Sequence, residues 1–102
     1  MPLCAELVTI KVDASPEEFL PVREAAIHQV KERHPGLIDV PVITKREDGT
    51  WFEVWIYESK EAAQAAADDI PNMPKFLEFA AFVTEPAQIE FTDMPDGGSS
   101  PL

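Results

Sequence analysis

Glu53 stands among aromatic side chains in the run Trp51-Phe52-Glu53-Val54-Trp55-Ile56-Tyr57. In a strand, alternate side chains point to opposite faces, so Trp51, Glu53, Trp55 and Tyr57 share one face and Phe52, Val54 and Ile56 the other. A carboxylate in an apolar lining has a raised pKa and can act as acid or base near neutrality. Flat aromatic walls beside it suit a planar or polycyclic organic ligand. Tyr57 could donate a hydrogen bond to a ligand oxygen, and Lys11 could balance an anionic group. With Thr9 and Asp39, these residues form the candidate site: Glu53 as the proton-handling group, and Trp51, Trp55, Tyr57, Thr9, Lys11 and Asp39 as ligand contacts. The alternative is that the aromatic row is interface core, with Glu53 paired to a basic side chain such as Lys11.

Other chemistries find little support. His28 and His34 are the only imidazoles and are six residues apart, on different faces of one helix, with no convincing third metal ligand near them. His34 falls in the last helical turn, where positive charge suits the helix dipole. Gly36, Gly49, Gly97 and Gly98 build no phosphate loop, and Ser15 and Ser59 look like helix caps. Cys4 is the only cysteine, which excludes an intrachain disulfide and fits a small buried hydrophobe in a reducing cytoplasm. No cofactor or metal is expected. The net charge of −11 repels phosphate backbones and anionic membranes, so neither nucleic acid nor membrane is an expected partner. No signal peptide is evident, and the apolar runs are too short to cross a bilayer.

The elements that must position these groups follow from patterning. Glu6 to Val12 alternates and reads as a first strand. Ser15-Pro16-Glu17-Glu18 carries a capping-box signature for a helix reaching about His34, where Pro35-Gly36 stops it. Phe19, Ala26, Ile27 and Val30 form its apolar stripe, with Arg23, Glu24, Lys31 and Glu32 toward water, and Pro21 implies a bent or restarted first turn. Leu37 to Thr44 is a second strand, which Pro41 marks as an edge or bulge. A turn containing Asp48-Gly49 joins it to the aromatic strand. Ser59 caps a helix from Lys60 to about Ile70, Asn72 caps a short one through Val83, and Ala87 to Thr92 is the last strand.

This is a β-α-β-β-α-(α)-β order, the α+β ferredoxin-like signature of a four-stranded antiparallel sheet with helices on one face. Residues 1–93 are expected to form the single domain and 94–102 a flexible tail. Val8, Ile10 and Val12, Val40 and Val42, Phe52, Val54 and Ile56, and Ile89 and Phe91 are expected on the helix side. The opposite side then shows Leu7, Thr9, Lys11, Asp39, Ile43, Glu90 and the aromatic row. Three exposed aromatics represent roughly 10 kcal/mol of burial as an upper bound, so a partner subunit or ligand should cover that side.

The order resembles the dimeric α+β barrel superfamily, in particular the antibiotic biosynthesis monooxygenase-like domains. The local match is Phe52-Glu53-Val54-Trp55-Ile56-Tyr57-Glu58-Ser59-Lys60-Glu61-Ala62, with Pro74 to Phe82 resembling the segment that follows. Tyr57 stands where family members often carry tryptophan, Ala66 where they carry histidine, and Thr9 and Lys11 occupy the strand that bears an asparagine in several oxygenases. The resemblance implies two ferredoxin-like subunits joined through their open sheet faces and points toward cofactor-free oxidation. The residues alone support proton-transfer isomerisation equally. The two functional expectations are therefore a homodimer acting on a small aromatic or hydrophobic molecule, and a non-catalytic dimerisation or ligand-binding module.

Overall fold

The computed structural model describes residues 2–98. Its elements are β1 (Leu3–Ile10), α1 (Pro16–Arg33), β2 (Leu37–Lys45), β3 (Trp51–Tyr57), α2 (Lys60–Asp68), a 3-10 turn (Ile70–Asn72), α3 (Pro74–Ala80) and β4 (Gln88–Met94). All strand pairs are antiparallel, in the order β2-β3-β1-β4. This is the expected ferredoxin-like α+β fold. The Ser99–Leu102 part of the expected tail lies outside the described residues, and β4 runs two residues past its expected end.

Local chemistry accounts for most boundaries. At the start of α1, Glu18 Oε1 accepts from the Ser15 amide at 3.4 Å and the Ser15 hydroxyl at 3.2 Å, with Pro16 at the first helical position. Pro21 lies within an uninterrupted α1, not at a restart. It is the sixth residue of the helix, in the second turn, so α1 forgoes the bond that an N–H there would make to the Glu17 carbonyl. β2 is an edge strand, and its register shifts between Leu37 and Val42, around Pro41. β1 ends at Ile10; Val12 forms only an isolated bridge to Val83. Asn72 does not cap the last helix; it donates to Asp69, while Gln29 Oε1 on α1 accepts from the Lys75 and Phe76 amides at 2.7 and 3.2 Å.

Register settles which side chains face the helices. Cys4, Glu6, Val8 and Ile10 of β1 pair with Tyr57, Trp55, Glu53 and Trp51 of β3. All eight belong to the helix side. The aromatic row therefore does not lie on the open face. Trp51 packs edge-on to Phe19 of α1 at 5.1 Å, and Trp55 packs edge-on to Phe76 of α3 at 6.1 Å. Phe52, Val54 and Ile56 take the open face instead. The same reversal brings Ile43, paired with Glu53, to the helix side and turns Val42, paired with Val54, outward. Val8, Ile10, Ile89, Phe91, Leu7, Thr9 and Glu90 fall where alternation put them.

Asp69 anchors the end of α1 to the segment after α2. It accepts from Arg33 Nε and Nη2 at 2.6 and 2.9 Å, from Asn72 Nδ2 at 3.0 Å, and its Oδ2 lies 2.7 Å from His34 Nε2. The Arg33 hydrogen bonds, then those of Asn72 and His34, hold its carboxyl below the ordinary value of 3.8. A depressed carboxyl stabilises the fold above its unfolded value, and that contribution is lost as the pH falls below it. Asp69→Asn is expected to lower the thermal midpoint at neutral pH, with the deficit shrinking on strong acidification. A deficit independent of pH would assign Asp69 a purely steric role.

Candidate functional site

Between the helix side of the sheet and α2, α3 and the segment 83–87 lies a cavity of about 550 Å³. It falls inside the range of about 300–1,000 Å³ common for small-molecule sites. Small side chains make the space: Ala66 and Ala67 of α2 and Ala80 of α3 line it where larger residues would fill it. Aromatic and thioether groups of Trp55, Phe76, Phe79 and Met73 form much of the rest. Backbone bonds from Asp13 to Phe82 and from Thr84 to Lys11 tie down the chain that borders one end. Ile89 also lines the cavity and is half exposed.

Three titratable side chains line this apolar space from the sheet: Glu6, Glu53 and Tyr57. Glu53 is 2% exposed, and its Oε1 accepts from Arg23 Nε and from Trp55 Nε1, each at 2.9 Å. The salt bridge thus forms to α1, not to Lys11, which instead meets Glu85 at the surface at 3.2 Å. Arg23, expected to face water, is buried, and its Nη2 has no hydrogen-bond partner among the described residues.

Glu6 is different. It is 9% exposed and makes no hydrogen bond or ion pair among the described residues. Burial, and then the neighbouring negative charge of Glu53, push its carboxyl up to about 7. Tyr57 is raised as well, first by burial and then by Glu6, which keeps its phenol protonated. Cys4, fully buried, is raised by burial first. Among the described residues, no group of three or more His, Cys, Asp or Glu side chains is placed to hold a metal ion.

Of the expected site residues, Glu53, Trp55 and Tyr57 line the cavity. Trp51 is on the same face but packs against Phe19 and under Lys45 Nζ. Thr9 lies on the open face, where its hydroxyl accepts from Arg46 at 2.9 Å. Asp39 is on edge strand β2 and accepts from the Val40 amide, and Lys11 is exposed beyond β1. Glu6 is the addition. Its signal was its place in the Cys4-Glu6-Val8-Ile10 alternation, a carboxylate in a row of buried apolar positions.

No family model and no curated protein matches this sequence. Solved structures do match in fold. SnoaB, a cofactor-independent oxygenase from Streptomyces nogalater, aligns with a TM-score of 0.70 at 16% identity, over 90% of this chain and 92% of that one. A candidate antibiotic biosynthesis monooxygenase from Caulobacter crescentus aligns at 0.69 and 20% identity, covering 90% and 89%. A nipsnap family protein of unknown function from Agrobacterium tumefaciens aligns at 0.62 and 15%, covering 90% and 87%. The class defined by these likenesses is the ferredoxin-like α+β fold. Within it, this chain has the fold of antibiotic biosynthesis monooxygenase-like proteins.

Proposed function

We propose that this protein binds a small, largely apolar organic molecule between its sheet and helices and acts on it by proton handling without a cofactor. The observation that carries this reading is the cavity of about 550 Å³ whose apolar wall is interrupted by Glu6, Glu53 and Tyr57. A dry wall with a few polar groups of shifted pKa is the usual make-up of a site that orients a ligand and moves a proton. The fold shared with a cofactor-independent oxygenase is consistent with chemistry of this kind.

The open sheet face supports a second part of the proposal, pairing of two copies. It carries Leu7, Val42, Phe52, Val54 and Ile56, with the Arg46 guanidinium 4.9 Å above the Phe52 ring. A continuous apolar strip on one side of a sheet favours a covering layer. Native mass spectrometry of freshly purified protein tests both parts. A dimer carrying a reproducible small adduct is expected, and Val54→Lys should shift the population to monomer by placing charge on that strip. A wild-type monomer would overturn the pairing. Failure of any planar apolar probe to bind would overturn the cavity reading.

A further inference from the structure

The two carboxylates of the cavity have unequal surroundings. Glu53 is held from two directions, by Arg23 of α1 and by the Trp55 indole. Glu6 lies on the adjacent strand, paired with Trp55 and therefore diagonal to Glu53 on the same face. It is nine-tenths buried, lines the cavity, and has no partner among the described residues. A buried carboxyl without a partner is costly, so a side chain in that state is poised for a hydrogen bond supplied from outside.

We propose that Glu6 is the carboxylate that touches the ligand, that Glu53 is a positioning residue, and that the ligand is a hydroxylated planar compound, a phenol or an enol. This rests on the cavity's being a ligand site. The O–H of such a ligand donates to Glu6. In the proton-transfer step that bond breaks, the proton moves to a Glu6 oxygen, and the electron pair remains on the ligand oxygen. Tyr57 lines the same space and offers an O–H donor to the resulting oxyanion. A carboxylate ligand is disfavoured, because it would bring a third negative charge beside Glu6 and Glu53.

The groups facing Glu6 set the pH behaviour. They are Glu53 and Tyr57 of β3 and Cys4 of β1, with Arg23 of α1 acting through Glu53, while Glu85 lines the same cavity and pairs with Lys11. Burial and Glu53 set a midpoint of about 7 for Glu6. Glu6 is therefore only a hydrogen-bond acceptor above that midpoint, and below it becomes a donor as well and a weaker, uncharged acceptor.

The test compares naphthalene, 2-naphthol and 2-naphthoate by equilibrium dialysis against wild type and Glu6→Gln. Above the midpoint, 2-naphthol should bind roughly tenfold or more tightly than naphthalene, the worth of one hydrogen bond to a charged acceptor, and 2-naphthoate should bind least. That preference should shrink below the midpoint and be lost in Glu6→Gln, which should bind 2-naphthol and naphthalene about equally at either pH. Emission from bound naphtholate gives a second readout, since excited 2-naphthol is a strong acid and yields its proton to an adjacent base. The emission should titrate with Glu6 and disappear in Glu6→Gln. Equal binding of naphthol and naphthalene to wild type, or a preference that survives Glu6→Gln, would overturn the inference while leaving the cavity reading intact. Binding of none of the three would overturn the cavity reading itself.

Discussion

Arg23→Met is expected to cost about 3–5 kcal/mol of stability, the usual penalty for removing one partner of a buried ion pair. The reason lies in what stays behind. Glu53 is 2% exposed, and without the guanidinium the Trp55 indole is its one remaining donor among the described residues. Arg23→Met combined with Glu53→Gln should recover most of the loss, because the amide oxygen can still accept from Trp55 and no charge is left buried. Chemical denaturation of wild type, both single variants and the double variant gives the coupling energy directly. A single-variant cost below about 1 kcal/mol would mean that the pair contributes little to the fold and that water reaches Glu53 freely.

The second large effect concerns Glu6 and has the opposite sign. Its carboxyl lies near 4.5 in an ordinary setting and at about 7 in the folded protein. Below the lower value it is protonated in both states. Between the two, the unfolded chain releases the proton and the folded chain retains it, so stability falls as pH rises. Beyond about 7 the whole difference has been lost, on the order of 3 kcal/mol at about 1.4 kcal/mol per pH unit. Glu6→Gln should therefore stabilise the protein by up to about 3 kcal/mol in mild alkali and change it little in mild acid. Relief of general repulsion among the acidic side chains predicts the same slope for wild type, and the variant separates the two causes. Equal slopes for wild type and Glu6→Gln would show that Glu6 titrates as an ordinary surface carboxylate.

Much of the fold could be read from the chain, because β-branched alternation, the Ser15 and Ser59 caps and the Asp48-Gly49 turn each act locally. Element order and sheet topology follow from them. The facing of β3 could not be read the same way. Phe52, Val54 and Ile56 form an ordinary buried set by composition, whereas the true inward row contains a carboxylate. Its partner Arg23 lies thirty residues earlier in the chain, among the α1 side chains expected to face water. A signal was present in α1: Phe19, Arg23, Ala26 and Val30 recur at helical spacing, so Arg23 interrupts an apolar stripe. One stray cation in a helix stripe and one stray carboxylate in a strand face are a matched pair. Glu53, Trp55 and Tyr57 thus line the cavity on the helix side, while Thr9 and Asp39 stay on the open face where alternation put them, so the reversal of β3 separates residues that alternation alone groups together.

Strand order also governs how the molecule comes together during synthesis. β1 is made first yet sits inside the sheet, with β3 on one side and β4 on the other, and Leu3 pairs with Met94 near the far end of the chain. The pairings with the greatest sequence separation carry the highest entropic cost of loop closure and form slowly. On the ribosome, the β1 residues emerge long before either neighbour, and the β4 edge closes only after residues 88–94 have been made. The first strand of the sheet to be made, with Glu6 on it, is thus among the last to be fully enclosed.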